Sequence, residues 1–242
     1  MAKNNTPLAD PQTRSPSDVR AMFSRVAAFY DRINSAMTFG LDARWRRRLA
    51  LELRLGENDR AIDIACGSGD VGLEIARTYP NAKIVCADFC APMLELARAK
   101  FEKKYPRRAE FAEADCENLP FEDASFGGAS VSFGFRNFRD RQKCLREIAR
   151  VLKPGARLCV LEVARARGVF RTAQKIFMGA FVPLLASLCG GARADYEYLA
   201  KSTLEFPPRE EVEKMFARAG FGEVSTLPMA FGLVAIVSGV KK

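Results

Sequence analysis

From Arg60 to Val163 the chain alternates short apolar runs with stretches whose apolar residues recur at i, i+3, i+4 and i+7. Five of the runs read as strands: AIDIA (61–65), KIVCAD (83–88), AEFAEAD (109–115), FGGASVSFG (126–134) and ARLCVLEV (156–163). Between them, DVGLEIARTY, APMLELARAKFEKKY and RQKCLREIARVL have helical spacing. The last of these runs into Lys153-Pro154-Gly155, where proline and glycine together end a helix and turn the chain. Strands that alternate with crossover helices predict an α/β fold, Rossmann-like, with a mostly parallel sheet. After a further helix, REEVEKMFARAG (209–220), the strands EVSTLPM and FGLVAIVSGV are joined by a short connection and predict an antiparallel pair. The sheet then has seven strands, the last antiparallel.

Outside this alternation, Val19, Met22, Phe23 and Val26, then Phe29, Tyr30 and Ile33, keep helical spacing and predict N-terminal helices before the first strand. Residues 1–17, rich in Pro, Ser and Asn, read as a disordered tail, and residues 18–242 as a single domain with a helical insert at about 165–202. Within that insert FMGAFVPLLASLCG (177–190) is the most apolar run. It contains Pro183 and falls short of the roughly twenty residues that span a bilayer, so it reads as a buried or interfacial helix.

Composition narrows the chemistry. The chain has no histidine, which removes the usual neutral-pH base and, with scattered cysteines lacking a C-x-x-C pair, any ordinary zinc site. Seven cysteines without a pairing pattern suit reduced thiols and a cytoplasmic location. The formal charge of +9 favours an anionic partner. Nucleic acid fits poorly, because the aromatic residues are not interleaved with the basic runs as a stacking platform requires.

The run DIACGSGDVG (63–72) contains G-x-G-x-x-G through Gly67, Gly69 and Gly72, with Asp88 about twenty residues on, which satisfies a dinucleotide pattern. Glycines without Cβ let a backbone approach a ligand where the first strand ends. Three acids, however, mark the ends of successive strands and favour S-adenosylmethionine, a cofactor without phosphate. Asp63 can assist a cationic methionyl amine directly or through water, Asp88 can accept ribose hydroxyls, and Asp115 would lie at the adenine edge.

With these residues in view, the chain resembles class I S-adenosylmethionine-dependent methyltransferases, and more narrowly the ubiquinone/menaquinone biosynthesis C-methyltransferases. The likeness runs from about Val19 to Gly239 through FSRVAAFYDRINSAMTFGLDARWRR, IDIACGSGD, ADFCAPML, EADCENLPF, SFGFRNFRD, REIARVLKPGARLCVLE and DYEYLAKST. The glycine and LPF blocks are widely shared, whereas FG-x-RN and YD-x-x-N are far more specific. The resemblance assigns Ser68, Asp88, Asp115, Cys116 and Ser132 to the cofactor, supported by Gly67, Gly69 and Asp63. It places Arg136 and Asn137 at the substrate ring, with Tyr30, Asp31 and Tyr196 near the pocket. Cys66 stands where relatives usually have glycine, Ser68 where they have threonine, and IVSG (236–239) where they often carry a histidine-containing LHRG.

What the resemblance implies is methylation of a ring carbon of a prenylated quinol, naphthoquinol or benzoquinol, without a metal. Two alternatives stay open at this level: a methyltransferase acting on another small molecule or lipid, and a non-catalytic cofactor-binding scaffold in a quinone-biosynthesis assembly; a homodimer is compatible with each. In the insert, Phe170, Ile176, Phe177, Phe181, Leu184 and Leu185 lie beside Arg165, Arg167, Arg171 and Lys175. That pattern suits a greasy helix with a basic flank, which either caps the site or touches an anionic membrane.

Overall fold

The structure is a computed structural model and describes residues 16–27, 30–166, 168–182 and 193–242. Three helices open the chain: α1 (Pro16–Val26), α2 (Tyr30–Met37) and α3 (Leu41–Glu52). The alternation that follows is β1 (Arg60–Ile64), α4 (Asp70–Thr78), β2 (Lys83–Asp88), α5 (Ala91–Lys104), β3 (Ala109–Glu113), β4 (Phe126–Ser132), α6 (Arg141–Val151) and β5 (Leu152–Val163). Then come α7 (Val169–Ile176) with a π-helical continuation Phe177–Phe181, α8 (Arg193–Leu204), α9 (Arg209–Arg218), β6 (Phe221–Met229) and β7 (Val234–Lys241). The expected tail and residues 183–192 of the expected insert lie outside the described residues, apart from the tail's last two positions, which begin α1.

The sheet order is β3-β2-β1-β4-β5-β7-β6. β1 to β5 are parallel, and β7 inserts antiparallel between β5 and β6. The order reverses between β1 and β4, so the crevice at the carboxyl ends of β1, β2 and β4 is where such a sheet takes a ligand. Central strands read as unbroken apolar runs because both faces are covered. One face is filled by Ile62, Ile64, Val131, Leu145, Ile148 and Phe216, the other by Leu49, Ala61, Ile75, Phe101 and Leu161.

Two boundaries differ from the sequence reading. Pairing with β4 resumes immediately after α6, since Phe126 pairs with Leu152, and Lys153 to Ala156 bulge out opposite Gly127 before Gly128 pairs with Arg157. Proline and glycine here shape a bulge inside an edge of pairing rather than a separate turn. β3 ends at Glu113, two residues before Asp115, which sits in the following turn and bridges to Asn118.

Candidate functional site

The turn after β1 is held from below. Asp63 is only 1% exposed; its carboxylate accepts from Gly72 N at 3.2 Å and from Ser130 Oγ at 2.7 Å on the neighbouring strand β4. It lines neither cavity described below and fixes the glycine turn to the sheet. Burial pushes its pKa up to about 7, against the pull of those two hydrogen bonds. The native state thus keeps a proton that the unfolded chain releases near pH 4, and stability falls as pH rises between those values, with a slope of about 1.4 kcal/mol per pH unit. Above about pH 7 both states are ionised and the slope vanishes. Urea melts of Asp63→Asn, which cannot ionise, should lack this decline between pH 4.5 and about 7.

The glycines divide their labour. Gly67 has φ of 53°, donates its N–H to Asp88 Oδ2 at 2.8 Å, and faces the cleft. Gly69 lets α4 approach α5, because a Cβ there would lie 2.7 Å from Ala97 Cβ. Gly72 does the same toward Cys86 Sγ, 2.8 Å from its ideal Cβ. Ser68 likewise turns its hydroxyl away from the cleft: it donates to Asp31 Oδ1 at 2.6 Å and accepts from Lys100 Nζ at 2.9 Å. Lys100 also pairs with Asp31 and Asp70, each at 2.6 Å, so a single ammonium on α5 ties α2 to the glycine turn.

Above this turn lies a narrow cleft of about 100 Å³, lined by Ile64, Ala65, Gly67, Asp88, Phe89 and Met93, by Asp115, Cys116 and Glu117, and by Ser132, with Val19 and Phe23 of α1 as its roof. Asp88 is buried, and burial raises its pKa while N–H groups of Gly67 and Cys90 offset the rise. Asp115 accepts from Glu117 N at 2.9 Å. Arg139 pairs with Glu117 at 2.8 Å and holds that carboxyl below its ordinary value. Burial raises the thiol of Cys116 far above its usual range, so it is a neutral wall and not a nucleophile.

A second, larger cavity of about 520 Å³ opens beside the first and shares Phe23, Phe133 and Asn137 with it. Its walls are mostly apolar, from Met22, Ile33, Met37, Trp45, Phe177 and Val182, with Arg136, Asn137 and Gln174 among the polar members. Phe133, at the junction, has φ of 54°, a strained conformation for a bulky residue of the kind that gathers at functional sites. The turn it opens, Phe135–Asn137, can press onto β1 because Gly134 has no Cβ; one would sit 2.7 Å from Ala65 Cβ.

Arg136, on this wall, is backed by Glu162, while Asp42 and Arg46 form a second ion pair within the lining. Glu162, at the end of β5, accepts from Arg136 Nη1 at 2.6 Å, from Arg136 N at 3.1 Å and from Val163 N at 2.9 Å. Glu162 was not singled out from the sequence, although it carries the same signal as Asp63 and Asp88, an acid at a strand's carboxyl end. Also missed was Tyr198, buried on α8, whose hydroxyl donates to Asn137 Oδ1 at 3.1 Å and whose ring packs with Val19 and Met22 of α1. The side chains of Tyr30 and Tyr196 lie outside the described residues. Among the described residues no cluster of His, Cys, Asp or Glu is placed to hold a metal ion, and no helix is long and apolar enough to cross a membrane.

Comparison with known proteins agrees with this architecture. A demethylmenaquinone methyltransferase of Thermus thermophilus is 41% identical over 90% of this chain and 99% of its own length. A ubiquinone/menaquinone biosynthesis C-methyltransferase of Geobacter sulfurreducens is 38% identical over 95% of this chain and 90% of its own. The crystal structure of a SAM-dependent methyltransferase from Thermotoga maritima shares the fold, with a TM-score of 0.66 at 21% identity over 92% of this chain and 99% of that one. Residues 11–241 match the ubiE/COQ5 methyltransferase family. At these identities and this coverage, the chain belongs to the ubiE/COQ5 methyltransferase family, whose members are enzymes of methyl transfer.

Proposed function

We propose that this enzyme moves a methyl group from S-adenosylmethionine to a ring carbon of a prenylated quinol. The observation that carries the reading is the junction of two unlike cavities at Phe133 and Asn137: a carboxylate-lined cleft over the glycine turn, and a roomy, mostly apolar chamber with Arg136 on its wall beside that junction. The names of the Thermus and Geobacter relatives point to the same class of substrate.

The cleft suits a cationic, phosphate-free adenosine cofactor. Asp88, Asp115 and Glu117 would repel a pyrophosphate, and the one arginine of the lining, Arg139, is committed to Glu117. Asp88 would hold the ribose hydroxyls, while Asp115, Cys116 and Ser132 with the apolar Phe89 and Met93 would hold the adenosine. Bound there, S-adenosylmethionine supplies an electrophilic methyl carbon. The side chains expected to touch a quinol do the rest. A quinol ring carbon becomes nucleophilic when the adjacent hydroxyl gives up its proton, and once the methyl carbon has moved to it from sulfur, that carbon loses its own proton to restore the aromatic ring. Arg136, always protonated, would donate hydrogen bonds to the resulting phenolate. Its charge acts strongly in the apolar chamber because little water competes there. Tyr198 fixes the amide of Asn137 by occupying its oxygen, which leaves the amide N–H₂ to orient the ring oxygen or a water that takes the proton. The apolar walls would house the start of the isoprenoid tail.

The test is methyl transfer from labelled S-adenosylmethionine under reducing conditions to demethylmenaquinol and, in parallel, to the benzoquinol precursor. Label in the ring methyl of either quinol is the expected result, and the pair decides the ring. Cofactor binding with no label on either ring would overturn the quinol assignment.

A further inference from the structure

Six large apolar side chains are exposed among the described residues, and four of them gather at one place. Phe39, Leu41 and Phe170 line the mouth of the apolar chamber, and Phe231 stacks on Phe170 at a centroid distance of 5.7 Å with planes 8° apart. The two most exposed, Phe39 at 77% and Phe231 at 85%, are held in left-handed backbone, with φ of 52° and 55°. A bulky residue rarely adopts that conformation, and neither ring gains much burial within the chain to offset it. Both sit at the tips of turns, α2 to α3 and β6 to β7, where Asn or Gly would fold more easily. The chain thus keeps two strained aromatic tips where solubility and local stability would favour something else.

Basic side chains accompany the rim. Arg171 follows Phe170, Arg44 lies on α3 three residues past Leu41, and Arg165 follows Ala164, whose N–H is bonded to Leu233 O beside the Phe231 turn. All three are exposed, and none has an ion-pair partner among the described residues.

We infer that this aromatic rim, with Arg44, Arg165 and Arg171 around it, is a docking surface for an anionic lipid bilayer, set so that the chamber opens onto the acyl region. The inference rests on the quinol reading for its purpose, since a polyprenyl substrate resides in lipid, but not for its test. Phenylalanines seat at the acyl boundary while arginines beside them meet lipid phosphates, a combination that a second protein copy of net charge +9 would not favour.

The experiment is co-sedimentation with vesicles of neutral phosphatidylcholine and with vesicles containing anionic phosphatidylglycerol, with neither methyl donor nor quinol present. Wild type should bind the anionic vesicles preferentially. Phe39→Asn/Phe231→Asn places left-handed-tolerant residues at both tips. It should reduce partitioning about tenfold or more, while its Tm equals or exceeds that of wild type. Arg44→Glu/Arg171→Glu should abolish the anionic preference. Equal partitioning of the Asn variant and wild type would overturn the inference, as would a lower Tm of that variant, which would make the rings structural. A wild-type dimer by light scattering that dissociates in the Asn variant would assign the rim to a second copy and equally overturn it. A protein that binds vesicles but labels no quinol would overturn the proposed function and leave this inference standing.

Discussion

Arg136→Lys lowers kcat by about a hundredfold or more while the fold stays intact. Lysine keeps a positive charge against Glu162, so the buried carboxylate retains a counter-ion. What is lost is the planar fork: a guanidinium can pair with Glu162 through Nη1 and still present other N–H groups to the chamber, whereas one ammonium on a flexible stem cannot fill both positions. Removing a single donor aimed at developing negative charge typically reduces rate by two to three orders of magnitude. Steady-state kinetics with quinol as the varied substrate check this. A loss confined to KM would show that Arg136 only binds substrate, and unchanged kinetics would remove it from the reaction. A thermal melt of the same preparation separates either outcome from unfolding.

Glu162→Gln has its larger effect on stability. Arg136 and Glu162 side chains are 10% and 4% exposed, and the carboxylate satisfies one guanidinium N–H and two backbone N–H groups. A neutral amide takes the carboxylate charge away from the buried guanidinium and turns an N–H₂ toward donors, a loss of about 3–5 kcal/mol for a broken buried pair. Urea denaturation should show it as a lower midpoint with unchanged slope. Arg136→Met/Glu162→Leu, which removes both charges together, should recover most of that stability and none of the activity. Full activity in the double variant would show that the pair serves only the fold.

Much of the architecture was legible because it is written locally. Apolar runs such as KIVCAD and the helical spacing of DVGLEIARTY fix strand and helix within a few residues, and the glycine turn follows β1 as its pattern requires. The mostly parallel sheet with an antiparallel last strand was legible from that alternation, but the order β3-β2-β1-β4-β5-β7-β6 was not, because which strands pair is a long-range contact. Family membership was legible too, since FG-x-RN and YD-x-x-N are contiguous motifs.

The distribution of roles within those motifs was not legible. Gly67, Gly69 and Gly72 look equivalent in a string, yet only the first faces the cleft. The other two admit Ala97 and Cys86, residues from later elements. Asp63 and Asp88 both end a strand, but Asp63 meets Ser130 across the sheet, 67 residues away, and is consumed beneath the turn. That Tyr198 meets Asn137 turns on which face of α8 docks there, which a local sequence cannot resolve.

The sequence by itself determined the secondary elements, the turn over β1 and the family, because each depends on spacing within one short segment. Only the tertiary structure decided that Glu162 backs Arg136, that Lys100 ties α2 to the glycine turn, that two unlike cavities meet at Phe133, and that four apolar side chains from distant segments ring one mouth. These are contacts between residues far apart along the chain. Which polar atom meets which partner, and which apolar surface is left uncovered, is set by packing rather than by local spacing.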